Sequence, residues 1–240
     1  MSEPRAKLSN SQFNWPLPVV VALDQPWDAA QDWLDRLQGK IWGFKVGSIL
    51  YMKMGPQIIE ILKSKGFKVF LDLKFHDIPN TVGRATREAF SQGVDWLTVH
   101  GSGGPEMLRA AANEQRDEQL VLSVSVLTSL NQADLTSINI NDSLEDHFLK
   151  LAQLSQDAGI RGLIASPHEL GLLKTRFPGS LLVVPGVHID EPAADQKRSL
   201  PVSEALKRGA DFVVLGRALY EAENWEIQWK KLCSSLGVTY

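Results

Sequence analysis

The chain is short of several things. Its 240 residues contain a single cysteine, Cys233. A lone cysteine excludes an internal disulfide and a thiolate metal cluster and fits a reducing compartment, which leaves Cys233 as a small buried hydrophobe in a terminal helix. Charge excess is missing too. With 25 Lys and Arg against 28 Asp and Glu the net charge is -3, which argues against nucleic acid or an acidic membrane as a partner; any attraction for an anion must be local. No apolar stretch is long enough to cross a bilayer, and residues 1–15 are polar, lack the apolar core of a signal peptide, and read as a tail. The cytoplasm is the expected location. The strand-helix turns also lack a G-x-G-x-x-G fingerprint with an acidic residue about twenty positions on, the mark of dinucleotide-binding sheets.

What is present is a regular beat. Apolar runs at 17–23, 41–46, 69–75, 96–100, 120–127, 162–165, 181–184 and 212–215 alternate with helical patterns at 27–37, 52–65, 82–91, from Pro105, 144–158, 168–175 and 202–208. Near-continuous Val, Ile and Leu runs are strands buried on both faces, and their alternation with helices gives a parallel sheet. Eight of them in a chain of this length predict a closed TIM (β/α)8 barrel, with an open doubly wound sheet as the alternative. No linker or compositional shift suggests a second domain, so the expected organisation is a tail over 1–15 and one catalytic barrel domain over 16–240.

The stretch from Val69 to Thr81 places Asp72, Lys74 and Asp77 where burial would predict no charge. Strand alternation predicts Asp72 and Lys74 on one face at the strand's carboxyl end, with Asp77 in the next turn. Pro79 ends the extended run, and Asn80 or Thr81 is placed to cap a helix from Val82. A surface ion cluster would explain these charges as well. A barrel, however, puts its chemistry at the carboxyl ends of its strands. Asp24 ends the first run, Lys45 the second, Asp72 and Lys74 the third, Thr128 the fifth, Pro185-Gly186 the seventh and Gly216-Arg217 the eighth. Barrels often hold a phosphate near the last two strands. Gly216 would let backbone N–H groups approach an anion, and Arg217 adds a guanidinium. The long polar connection over 187–200 reads as a lid.

These residues carry a family resemblance. Asp72-x-Lys74-x-x-Asp77-Ile78-Pro79-Asn80-Thr81 comes with Val21-Ala22-Leu23-Asp24, Lys45-Val46-Gly47, Val126-Leu127-Thr128-Ser129, Pro185-Gly186-Val187, Asp195-Gln196-x-Arg198 and Leu215-Gly216-Arg217. In that order they closely resemble the orotidine 5'-phosphate decarboxylase family. The resemblance implies cofactor-free and metal-free decarboxylation of orotidine 5'-monophosphate to UMP, the last step of de novo pyrimidine synthesis. It implies a charge network of Lys45, Asp72, Lys74 and Asp77, with Asp77 contributed by the neighbouring subunit of a homodimer and Lys74 as proton donor. Asp24, Lys45 and Thr81 would serve the ribose, Thr128 the pyrimidine, and Gln196, Gly216 and Arg217 the phosphate; Ile78 and Pro185 complete the substrate-binding set.

Chemistry supports those roles independently. Loss of carbon dioxide leaves negative charge on a poorly delocalised ring carbon, so a cation fixed beside it stabilises the transition state more than the ground state. A lysine between carboxylates suits that task, whereas a Schiff-base lysine needs the opposite surroundings. One departure stands out: many bacterial members have arginine where this chain has His188, so His188 either makes a weaker, pH-dependent phosphate contact or faces solvent. Three rivals share parts of the pattern. A magnesium-dependent decarboxylase of a keto-gulonate phosphate has the same Asp-x-Lys-x-x-Asp spacing. A metal-dependent epimerase would use His76 and His100, for which structural roles are the alternative, and a non-catalytic phosphate-binding module would tolerate loss of Lys74.

Overall fold

Residues 17–189 and 199–238 are described by the computed structural model. Ten strands run through them: β1 Val19–Ala22, β2 Gly43–Gly47, β3 Lys68–Phe75, β4 Trp96–His100, β5 Leu120–Val124, β6 Gly162–Ile164, β7 Leu181–Val184, β8 Val187–His188, β9 Leu200–Pro201 and β10 Phe212–Leu215. Eight of these close into a barrel in the order β1-β10-β7-β6-β5-β4-β3-β2, and β8 with β9 makes a separate two-stranded sheet. The pairing is parallel, with Val20 opposite Val214 on one side and Gly43 on the other. The apolar runs are strands for the expected reason: every residue of β1, β5, β7 and β10 is buried.

The chain divides into two compact units, one reaching Phe70 and resuming at Ala165, the other Leu71–Ile164. In the first, Trp42 meets Phe212 edge-on at 5.9 Å and Phe44 meets Phe67 at 4.7 Å. Gly43 has to be glycine here, because a Cβ would lie 2.1 Å from the Lys68 carbonyl oxygen. Helix Gln57–Ser64 buries Ile58, Ile59 and Leu62 completely, each worth about 1.5–3 kcal/mol of transfer free energy. Helix Trp225–Ser235 buries Cys233, as the sequence predicts, and burial pushes its thiol pKa up. In the second unit, helices Pro79–Ser91, Gly104–Ala112 and Leu144–Asp157 accompany β4, β5 and β6. Several of its interior polar groups are bonded: the Ser155 hydroxyl donates to Ser123 at 2.7 Å, and Gln115 Oε1 accepts the backbone N–H groups of Val121 and Arg161. The buried Thr86 hydroxyl is an exception, with no hydrogen-bond partner among the described residues.

Several boundaries differ from the sequence pattern. The helix expected over 52–65 is two, Ser48–Met54 and Gln57–Ser64, because Gly55 takes a φ of 59° and Pro56 follows. The helix expected over 27–37 is likewise split, into Trp27–Ala30 and Asp32–Leu37. Pro79 opens the next helix instead of preceding it, with Ile78 at the N-cap and no capping side chain, so Asn80 and Thr81 lie inside its first turn. Helix Gln132–Ser137 was not apparent from apolar periodicity; it starts in a capping box in which Asn131 and Asp134 bond each other's backbone N–H. β5 stops at Val124, so Thr128 lies in an exposed turn four residues beyond it.

Candidate active site

In the second unit Asp72 and Lys74 form a connected cluster with the Thr98 hydroxyl. The Lys74 ammonium donates to Asp72 Oδ1 at 2.9 Å, and the Thr98 hydroxyl donates to the same oxygen at 2.9 Å. The Lys74 backbone N–H in turn donates to Thr98 Oγ1 at 2.9 Å. Strand alternation places Asp72 and Lys74 on one face of β3, and the backbone departs from regular strand geometry at Lys74. Lys74 has a φ of 50°, a left-handed conformation that costs a side-chain-bearing residue about 1–3 kcal/mol and persists only where its surroundings hold it. Asp72 is the more sheltered partner, with 14% of its side chain exposed against 36% for Lys74. Thr98 is fully buried. Sequence reading passed over Thr98; the available signal was a hydroxyl in the otherwise apolar run Trp96-Leu97-Thr98-Val99.

Beyond the strand end, the His76 and His100 rings lie 5.3 Å apart. Burial, and then the neighbouring His76 and Lys74, push the His100 pKa below the ordinary imidazole value, with Asp72 opposing. Asp77 is exposed, and its carboxylate accepts the Ile78 N–H at 2.6 Å, fixing the entry to helix Pro79–Ser91. Ile78 is 65% exposed, unusual for an isoleucine. Thr81 is exposed on the first turn of that helix.

The first unit carries a second acid–base pair. Lys45, on β2, donates to Asp24 Oδ1 at 3.2 Å, just past the end of β1. Gly47 lies beside them: a Cβ there would stand 3.4 Å from Asp24 Oδ1 and 3.5 Å from Lys45 Nζ, ordinary van der Waals contact. Pro185 and Gly186 follow β7, with Gly186 at a φ of 72°. Gly216 follows β10, and Arg217 opens the short helix Arg217–Tyr220. A Cβ on Gly216 would meet nothing closer than 3.8 Å, so packing does not require the glycine. Tyr220 sits nearby, its pKa pushed up to about 12 by burial and by the charges of Asp24 and Glu221. His188 does not face solvent. It is 6% exposed, its ring Nδ1 lies 2.8 Å from Ser199 Oγ, and burial lowers its pKa. The two ends of the connection expected to be a lid, β8 and β9, pair with each other; residues 190–198 between them lie outside the described residues. Gln196, with Asp195 and Arg198, lies outside the described residues, as does the tail over 1–15.

A closed parallel barrel with acid–base pairs where its strands end is the layout of the (β/α)8 enzymes, which carry out their chemistry on that rim. Among them, this chain belongs to the orotidine 5'-phosphate decarboxylase / HUMPS family, whose pattern matches residues 17–232. It is 42% identical over 211 residues to the orotidine 5'-phosphate decarboxylase of Pseudomonas fluorescens (strain SBW25), spanning 85% of this chain and 91% of that protein. It is 40% identical over 225 residues to that of Idiomarina loihiensis, covering 91% and 97% respectively. The crystal structure of orotidine 5'-phosphate decarboxylase from Lactobacillus acidophilus superimposes with a TM-score of 0.80 at 27% identity, over 92% of this chain and 99% of that one.

Proposed function

We propose that this chain decarboxylates orotidine 5'-monophosphate to UMP without a cofactor, the last step of de novo pyrimidine synthesis. The observation that carries it is the Lys74 ammonium bonded to Asp72 at 2.9 Å in a chain of this family. The bond from the ring carbon to the carboxylate breaks, carbon dioxide leaves, and the electron pair stays on the ring. The fixed ammonium stabilises that charge and then gives its proton to the same carbon, regaining one from water. Asp72 orients the ammonium.

Around that step, Lys45 and Asp77 complete the charge network, and Asp24, Lys45 and Thr81 serve the ribose. Thr128 meets the pyrimidine, with Ile78 and Pro185 lining its pocket. Gln196, Gly216 and Arg217 hold the phosphate; that packing does not require the glycine at 216 supports the assignment. The reading takes the two units as parts of one catalytic domain over 16–240, working in the cytoplasm as a homodimer in which Asp77 reaches the neighbouring subunit's site. Exposed apolar side chains support the dimer: Ile49 is 81% and Met52 83% exposed, besides Ile78 at 65%, and such side chains gather where a partner covers them.

The test is carbon dioxide release from orotidine 5'-monophosphate with a chelator present. Full turnover under chelation is the expected result. Release that needs added magnesium would point instead to the metal-dependent keto-gulonate phosphate type of chemistry, and no release at all would reject the assignment.

A further inference from the structure

We propose that Thr98 is a positioning residue for the decarboxylation, its one hydroxyl fixing both the Asp72 carboxylate and the strained backbone of Lys74. The inference rests on the function proposed above. Thr98 stands in the middle of β4, opposite Leu122 of β5, with buried neighbours on either side in the chain. Packing alone would be met by valine, which has nearly the same shape. The hydroxyl is used twice, as donor to Asp72 Oδ1 and as acceptor from the Lys74 N–H. Asp72 Oδ1 then accepts from the Lys74 ammonium. The three bonds make a closed loop: backbone of Lys74, hydroxyl of Thr98, carboxylate of Asp72, ammonium of Lys74.

Each part of the loop restrains another. A lysine at a φ of 50° relaxes unless its amide is held, and relaxation would swing the ammonium away from where the carbanion forms. A carboxylate with one oxygen fixed by a buried hydroxyl keeps its rotamer, and the ammonium bonded to it inherits that position. Thr98 itself need not touch substrate. Its loss should therefore appear in the rate of the chemical step and leave the grip on the nucleotide almost unchanged, because the phosphate and ribose contacts are made elsewhere.

The experiment compares Thr98→Val and Thr98→Ser with wild type in kcat, in UMP affinity and in crystal structure. Misplacement by about 1 Å near the reacting atoms can cost roughly 100-fold, so the valine variant should lose kcat on that scale with UMP affinity within about twofold. Serine, which keeps the hydroxyl, should recover to within about fivefold of wild type. The valine structure should show Lys74 out of the left-handed region or its ammonium beyond bonding distance of Asp72. If the valine chain does not fold, Thr98→Ala is read by the same measures. A non-hydroxyl variant with kcat within about threefold of wild type, or with the Asp72–Lys74 geometry intact, overturns the proposal. A serine variant as slow as valine does so as well. Wild-type protein inactive on orotidine 5'-monophosphate would instead reject the function, leaving the structural comparison to judge Thr98 by itself.

Discussion

On the proposed mechanism, removing the Lys74 side chain takes away a cation and a proton source together, so Lys74→Ala should stay folded, still bind UMP, and lose turnover by roughly four orders of magnitude or more. Isothermal titration with UMP beside a decarboxylation assay checks both halves; turnover within about tenfold of wild type would displace Lys74 from its role. Arg217 is tested by a ratio. If the guanidinium holds the phosphate as proposed, Arg217→Ala should weaken orotidine 5'-monophosphate far more than the free nucleoside, on the order of 100-fold against a small change. Equal losses for both would place the phosphate elsewhere. At this scale the charged residues were legible because charge in an apolar strand has few explanations. Thr98 was not, because its two partners lie 24 and 26 positions away in the chain. Nor was the left-handed backbone at Lys74, for the glycine or asparagine that usually announces one is missing.

Among the elements, the β8–β9 sheet carries a pH dependence through His188. Burial lowers the pKa of His188, and of His100 with it, so the unfolded chain takes up these protons more readily than the folded one. Stability is then complete above the ordinary histidine value of about 6.5 and falls as the pH drops from there towards the lowered folded values. The urea midpoint should accordingly be lower at pH 5 than at pH 7.5, and His188→Gln should narrow that gap. An unchanged gap would mean that His188 titrates alike in both states. The strands were the legible elements, since a segment buried on both faces reads as an unbroken apolar run; β7 and β10 fall on the runs at 181–184 and 212–215. Helix ends were less so. Gly55-Pro56 cuts a continuous amphipathic pattern, and Pro79 is equally at home ending an extended run or opening a helix. β5 read too long because Val126 and Leu127 continue its apolar run past Val124.

For the whole molecule, the question is whether a site is complete within one chain. Asp77 lies past the end of β3, exposed and bonded only locally to the N–H of Ile78 among the contacts described. If it serves the neighbouring subunit, mixing Asp77→Ala with Lys74→Ala chains restores activity that neither has alone. In a mixed dimer one site has both residues intact and the other lacks both, so random exchange should make roughly a quarter of all sites active. If Asp77 serves its own site, every site carries one lesion and nothing is regained. Exchange is verified by mass spectrometry of differently tagged subunits, and verified exchange without recovery would leave any dimer a matter of stability alone.

The buried Cys233 gives the protein a built-in timer. It is the chain's only thiol, it is 3% exposed on the last helix, and its raised pKa keeps it in the unreactive protonated form. An alkylating reagent can therefore mark the native protein only during moments when that helix lifts, and each marked molecule is one recorded opening. The labelling rate at increasing reagent concentration should level off at the rate of opening itself, which reads how firmly the end of the chain is docked without any mutation at all.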